Sequence, residues 1–342
     1  MVIVMTWNFH PKPQTKPITI REAFRGLNES EPCPIVMPEY IRKVAREITP
    51  GDFNSDKVKP ILAKHNNGKT GGFMSLKRLS WHKESCTLIK SSHWGNIGII
   101  HPNGERFINE AELKRVGSFP DDFIFPDSLG FKNVIERIGN SVPPNLMRAI
   151  AENIKNSPFL RDTDRLTAID TFSGCGGSSL GLKLAGYDER LAVEWDDNAS
   201  ATYRVNFPDT PLYHGDIAKL SLEKAIKLSG LRLGELDLLT GSPPCQGFSV
   251  AGKRNLYDDR NQLFKEYCRF LQGFKPKAFV MENVPGMIRG HMKQVALNIY
   301  KELRSCGYEV RGQVLNAKYY GVPQSRERVI LVGVRSDLVQ RH

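Results

Sequence analysis

The stretch IDTFSGCGGSSLG, residues 169–181, decides the fold. It closes an apolar run, Leu166–Phe172, that reads as a strand, and it opens the helical pattern Ser178–Ala185. Between the two, glycines at 174, 176 and 177 make a turn. Turns of this kind bring free backbone N–H groups to the polar groups of a nucleotide. The dinucleotide pattern GxGxxG is not completed, because Ser179 takes its third glycine position. Alone, such a turn is a weak signal.

The same alternation recurs downstream. Further strand candidates are Arg190–Trp195, Leu236–Thr240, Ala278–Glu282 and Arg328–Val334, with helical patterns at Ala199–Asn206, Leu263–Gly273 and Met292–Cys306. Strands alternating with helices predict an α/β, doubly wound parallel sheet. Residues 134–156 read as a turn and an amphipathic helix ahead of the first strand. Residues 1–130 read as irregular, with prolines at 11, 13, 17, 32, 34 and 38 and the Gly68–Gly72 cluster. No internal repeat is visible. The expected organisation is a small irregular domain at 1–131, a helix and linker at 132–158, and the sheet domain at 159–342.

Composition narrows the class. The chain is 40% hydrophobic and 25% charged, enough apolar material for a core. No run approaches the ~20 apolar residues of a membrane span. The opening MVIVMTW is too short, and lacks the basic flank, for a secretory signal, so an intracellular protein is expected. Formal net charge is +11, and residues 56–95 hold eight Lys or Arg against Asp56 and Glu84. That segment suits either a polyanion or a solvated basic face. The six cysteines at 33, 86, 175, 245, 268 and 306 form no CxxC and stand beside no suitably spaced histidine pair. Neither a zinc cluster nor a disulfide framework is expected.

Two acids sharpen the glycine turn. Glu194 ends the next strand, about 20 residues on, where a ribose-binding carboxylate belongs. Trp195 beside it offers a stacking face. Asp216 comes where a third strand would end and suits an adenine amino group. Acids at successive strand ends without a phosphate fingerprint favour an adenosine lacking phosphates, and S-adenosylmethionine fits.

A second loop carries a thiol. In GSPPCQGFS, residues 241–249, two prolines fix the backbone just before Cys245. A nucleophilic cysteine needs a fixed direction and exposure; a buried turn cysteine is the plain alternative. Glu282 ends a later strand, in AFVMENVPGM, on the same sheet edge. Arg326 and Arg328 alternate in GVPQSRERVILVGV, so on an extended stretch both face one side.

Together these elements resemble the DNA (cytosine-5)-methyltransferases. The resemblance rests on DTFSGCGG (170–177), VEW (193–195), GDI (215–217), GSPPCQGFS (241–249), ENV (282–284) and QSRER (324–328), in the family's order. IGNSVPPN (138–145) matches the family's last motif. The motifs span most of residues 105–334.

The resemblance implies a Rossmann-like S-adenosylmethionine-dependent sheet with a smaller target-recognition domain. It implies that Cys245 attacks C6 of cytosine, that Glu282 hydrogen-bonds and protonates N3, and that Arg328, with Arg326, holds O2 and nearby backbone. Phe172, Gly174, Gly177, Glu194, Trp195, Asp216, Ile217, Pro244 and Leu263 correspond to positions that contact S-adenosyl-L-methionine, and Asn140 and Val142 would join them. Residues 246–262 would close over double-stranded DNA, with Ser249, Lys253 and Arg254 among the contacts. Lys77, Arg78 and Trp81 of the basic segment, and His82, His93 and Trp94, are candidates for base or phosphate contacts. The cytosine would be flipped from the stack. No metal is implied.

The order departs from the family in one respect. IGNSVPPN normally comes last, yet here it precedes the cofactor turn. Residues 106–125 resemble the penultimate motif, and KPITIREAFRGL (16–27) resembles the segment that normally follows QSRER. Joining His342 to Met1 restores the usual order, so the chain reads as circularly permuted, with Lys155–Asp164 linking the old ends. The implied protein is a cytoplasmic prokaryotic enzyme, a monomer on DNA, protecting host DNA from a cognate restriction endonuclease. Alternatives are an RNA cytosine-C5 methyltransferase and a non-catalytic DNA-binding relative.

Overall fold

The structure, a computed structural model, describes residues 8–69, 76–91, 98–160, 165–244 and 262–339. Contacts divide the chain into two compact units. The smaller comprises Gln14–Asn145 and Ala317–Arg326; the larger comprises Met1–Pro13, Leu146–Asn316 and Glu327–His342.

This division departs from the boundaries expected at 131 and 158. Residues 8–13 join the sheet unit because His10 Nε2 lies 2.9 Å from the Ile330 carbonyl and Asn153 Nδ2 donates to the Asn8 carbonyl at 2.9 Å. Residues 317–326 join the small unit because the Ser85 and Ser325 amides bond to the Pro323 and Ser85 carbonyls. Neither tie follows from local sequence.

The small unit is less irregular than its prolines suggest. It holds short helices α1 (Ile20–Ala23), α2 (Glu39–Glu47), α3 (Ser55–His65), α4 (Glu110–Val116) and α5 (Phe131–Asn140), with a parallel pair β1 (Lys77–Arg78) and β2 (Ile99–Ile100). Capping explains starts so close to turns. Thr19 with Glu22, and Asn109 with Glu112, form capping boxes, and Asn54 accepts from the Asp56 amide. Ile41, Val44 and Ala45 of α2 pack with Leu62, Leu76, Ile100 and Phe107 into a core.

In the sheet unit, α6 (Pro144–Lys155, in this unit from Leu146) packs beside the first strands: the Tyr187 hydroxyl donates to the Ala151 carbonyl, and Lys155 Nζ to that of Ala185. There follow β3 (Leu166–Thr171), α7 (Gly177–Leu184), β4 (Tyr187–Glu194), α8 (Asp197–Asn206), β5 (Leu212–His214), α9 (Leu222–Ser229) and β6 (Leu238–Gly241). Then come α10 (Gln262–Phe274), β7 (Ala278–Asn283), α11 (Lys293–Ser305), β8 (Tyr308–Asn316), β9 (Glu327–Arg335) and α12 (Ser336–Val339). Strand order is β5-β4-β3-β6-β7-β9-β8, a Rossmann-like α/β sheet.

The sheet is not wholly parallel, as the alternation had predicted. The five strands β3 to β7 pair in parallel, but β9 runs antiparallel to both β7 and β8. The α11 crossover carries β8 two positions beyond β7, leaving a gap of one strand. With only a single 3-10 turn, Ala317–Tyr319, and no α-helix between β8 and β9, the chain returns antiparallel into the gap. Buried apolar side chains from Ile169, Val193, Leu239, Phe270, Phe279, Met281 and Leu331 form the core.

Candidate active site

The strand order reverses beside β3, which opens a crevice at the carboxyl ends of β3 and β6. Register aligns the loops that carry the candidate residues. Thr171 of β3 pairs with Gly241 of β6, and Gly241 with Met281 of β7. The glycine turn, the loop leading to Cys245 and the segment around Glu282 therefore leave adjacent strand ends. Approach at this edge is close: a Cβ on Gly241 would lie 2.4 Å from Thr171 Oγ1.

The turn after β3 is held in an uncommon backbone shape. Phe172 has φ of +63°, the left-handed region that only glycine adopts freely. Gly176 (φ +97°) could carry no side chain, since a Cβ there would meet the Phe207 ring at 2.3 Å. Gly174 is also left-handed (φ +58°), but a Cβ there would enter open space. Gly177 begins α7 without a side-chain cap ahead of it.

Glu194, at the end of β4, is buried at 7% exposure. Its carboxylate accepts from the Gly174 amide at 2.7 Å, and from the Trp195 and Asp196 amides at 2.9 and 2.8 Å. Burial pushes this carboxyl upward, opposed by those three donors. The acid thus braces the glycine turn while closing β4. Trp195 beside it is 73% exposed, an unusual state for a large flat ring. Asp216 is exposed and caps a short turn, Ile217–Lys219, through the Ala218 amide at 2.9 Å. Ile217 is buried, Leu263 is half-buried at the start of α10, and Pro244 is exposed.

These residues fit an adenosine-type cofactor: carboxylates at successive strand ends for hydroxyl and amino groups, an open glycine turn, and an uncovered indole face. Asn140 and Val142 lie in the small unit, Asn140 exposed at the end of α5 and Val142 buried.

Glu282 is buried at 8% exposure, and Arg328 Nε lies 2.7 Å from its Oε1. The neighbouring Asn283 donates from Nδ2 to the Pro243 carbonyl at 3.1 Å. That bond ties the end of β7 to the loop two residues before Cys245. The sequence reading assigned Asn283 no role, because its partner depends on how β6 and β7 align. Cys245, Ser249, Lys253 and Arg254, with the closing loop 246–261, lie outside the described residues, as do His93 and Trp94.

Contacts within the fold hold three of the other candidates. Arg326 and Arg328 do not share a target. Arg326 is 2% exposed and donates to the carbonyls of Leu88, Gly139 and Ser141, so it braces the small unit. Arg78 donates to the carbonyls of Pro102 and Ala45, and its guanidinium is held in place. Trp81 packs edge-on to Phe24 and His101, under Arg21. A basic or aromatic residue in sequence can equally serve a fold's interior. Lys77 is half-buried in β1 and His82 is exposed.

A family model for C-5 cytosine-specific DNA methylases matches residues 6–156 and 166–342. The chain belongs to that family. Among relatives, the type II methyltransferase M.DdeI of Desulfomicrobium norvegicum is 44% identical over 178 residues, 50% of this chain and 41% of its own. The type II methyltransferase M1.HphI of Haemophilus parahaemolyticus is 43% identical over 171 residues, 49% of this chain and 45% of its own. The chain thus spans less than half the length of these relatives. The Dnmt2 methyltransferase of S. pombe is 26% identical with a TM-score of 0.42, covering 50% of this chain and 51% of that one. For a C-5 cytosine-specific DNA methylase, the alignment of the glycine turn, the Pro243-Pro244 loop and Glu282 on one sheet edge is the site to explain. Among the described residues no group of three or more His, Cys, Asp or Glu is placed for a metal ion, and no helix is long and apolar enough to cross a membrane.

Proposed function

We propose that this chain methylates C5 of cytosine in double-stranded DNA, as part of a type II restriction–modification system in a prokaryotic cytoplasm. The observation that carries the reading is the buried Glu282–Arg328 pair on the strand next to the loop entering Cys245.

In this reading the Cys245 thiolate adds to C6 of a flipped cytosine, and the C5–C6 double bond opens toward the ring nitrogen N3. Glu282 donates a hydrogen bond and then a proton to N3, stabilising the charge that attack creates. Arg328 orients Glu282 and reaches the base's O2 with its remaining donors. S-adenosyl-L-methionine, when bound, supplies an activated methyl group. Glu194, Trp195, Asp216, Phe172, Gly174, Gly177, Ile217, Pro244 and Leu263 hold that cofactor, as do Asn140 and Val142. Loss of the C5 proton to a base restores the C5–C6 double bond and releases the Cys245 thiolate, and N3 gives its proton back to Glu282. Lys77, Arg78, Trp81, Ser249, Lys253 and Arg254 contact the duplex, and the net charge of +11 supports a polyanionic partner. The enzyme acts as a monomer and shields its site from a cognate endonuclease.

The chain is circularly permuted in this account. A family match in two separate stretches and alignments to relatives over about half the chain support this. An alignment that runs in one direction can follow only one of two exchanged blocks. The bonds from α6 to Tyr187 of β4 and to Ala185 just before it are consistent with the family's last helix staying on the sheet.

The test is transfer of a labelled methyl group from S-adenosylmethionine to duplex DNA and to RNA in parallel, with Cys245→Ser as control. Label on DNA alone, absent in the control, supports the reading. Label on RNA alone would favour the RNA enzyme.

A further inference from the structure

Beneath the glycine turn lies an acidic pair that the mechanism leaves unused. Asp170 of β3 is 1% exposed. Glu189 of β4 is half-buried as a residue, but its carboxyl is enclosed. Ser179 of α7, fully buried, stands between them: its Oγ lies 2.8 Å from Glu189 Oε1 and 3.3 Å from Asp170 Oδ2. The outer oxygens are also engaged. Tyr203 of α8 donates to Glu189 Oε2 at 2.8 Å, and Thr240 of β6 donates to Asp170 Oδ1 at 2.8 Å.

The donors do not suffice for two carboxylates. Three hydroxyls offer three protons to four carboxylate oxygens, and Ser179 can direct its single hydrogen to one acid only. Among the described residues no Lys, Arg or His lies within ion-pair distance of either acid. The other groups that bear on the pair are the Glu194 carboxyl near Asp170, and the Tyr203 and Tyr267 hydroxyls from α8 and α10. All carry negative charge or none. Two ionised acids in this enclosure would repel with nothing to compensate. Burial pushes both carboxyls upward, joined by the Glu194 charge at Asp170 and by the Asp170 charge at Glu189, which agrees with that geometry.

We propose that Asp170 and Glu189 retain one proton between them through Ser179 at neutral pH, and that this shared proton latches the turn carrying the cofactor-facing glycines. The residue in the third glycine position of the dinucleotide pattern is thereby explained. Ser179 is the hinge pin of a proton-held joint between β3, β4 and α7. Asp170 lies two residues before Phe172, and Glu189 five before Glu194, so opening the joint loosens both walls of the cofactor site. Asp170, Ser179 and Glu189 are positioning residues. The cofactor part of this inference rests on the reading above; the proton latch does not.

The experiment has two arms on the full chain. Thermal unfolding of the cofactor-free protein is followed from pH 6 to 9.5 for wild type, Glu189→Gln and Ser179→Ala. Because the folded state holds a proton that the unfolded chain has lost, wild-type stability falls as pH rises through this range. In Glu189→Gln, whose amide mimics the protonated acid, that fall shrinks to less than about half. Ser179→Ala keeps both buried acids, so the fall persists, but it removes the bridge to α7, so S-adenosylhomocysteine affinity at pH 7 drops toward the wild-type value at pH 9.5. Ser179→Ala affinity equal to wild type at pH 7 would overturn the role of Ser179. Calorimetric binding of S-adenosylhomocysteine is then measured over the same range. Its affinity drops about fivefold or more from pH 7 to 9.5 in wild type and stays flat in Glu189→Gln. Parallel pH profiles in wild type and Glu189→Gln would overturn the latch. If Glu189→Gln fails to fold, Asp170→Asn makes the same comparison from the other side. Absence of S-adenosylhomocysteine binding at every pH would instead count against the cofactor assignment, leaving the unfolding arm to judge the proton.

Discussion

Arg328 Nε lies 2.7 Å from Oε1 of Glu282, with both side chains 11% exposed. The antiparallel register of β9 on β7 makes this pair possible, since it sets Glu282 opposite Ile330 and Arg328 two residues further on. Removing one partner strands the other as a buried charge. Arg328→Ala is expected to cost about 3 kcal/mol in unfolding free energy and about a hundredfold or more in turnover. Glu282→Gln keeps the shape but cannot deliver the proton, so turnover falls about 10²–10⁴-fold with a much smaller stability loss. Denaturant unfolding alongside single-turnover kinetics separates the two effects.

Trp195 and Glu194 are neighbours with opposite burdens. Trp195 is 73% exposed, so Trp195→Ala should leave stability within about 0.5 kcal/mol. If its ring stacks on the adenine, cofactor affinity falls about tenfold. Glu194→Gln replaces an acceptor of three amides with a group that also donates, and should lower both the melting temperature and cofactor affinity. Calorimetric binding of S-adenosylhomocysteine, next to melting curves, distinguishes a contact residue from a brace.

Arg326 makes a contrasting prediction to Arg328. Its guanidinium donates to three carbonyls within the small unit. Lysine cannot reproduce that fork. Arg326→Lys is therefore expected to destabilise by about 2 kcal/mol or more through carbonyls left without donors. A variant as stable as wild type but unable to bind DNA would show that Arg326 contacts the substrate instead.

The glycine turn offers a pair of opposed substitutions. Gly176→Ala drives a Cβ into Phe207 at 2.3 Å and occupies φ +97°, so a loss of about 3 kcal/mol is expected. Phe172→Gly relieves a non-glycine residue at φ +63° worth about 1 kcal/mol of strain, but removes a ring from the proposed cofactor wall. Stability should change little or rise while cofactor affinity falls. Melting temperature and affinity measured on the same samples check both.

Much of the sheet unit was legible because its signals are local. Apolar runs and glycine turns placed β3, β4, β6, β7 and β9 and the helices α7, α8, α10 and α11 within a few residues. What was not legible depends on pairing over distance. The antiparallel place of β9, the bond from Asn283 to Pro243 and the pair of Asp170 with Glu189 all follow from strand register, which no window of sequence contains. The small unit was misread for a different reason. Its helices are short and begin at caps such as Thr19, Asn54 and Asn109, which the surrounding prolines obscure. Residue type alone also does not say what a side chain touches: Arg78, Trp81 and Arg326 suit nucleic acid chemically, and each makes backbone or ring contacts within the small unit.

The most direct measurement is bisulfite sequencing of a plasmid treated with the purified chain and S-adenosylmethionine, beside a Cys245→Ser control. The account predicts conversion-resistant cytosines at one recurrent short motif on the wild-type sample, and none with the control. Full conversion everywhere, or protection that survives Cys245→Ser, would contradict it.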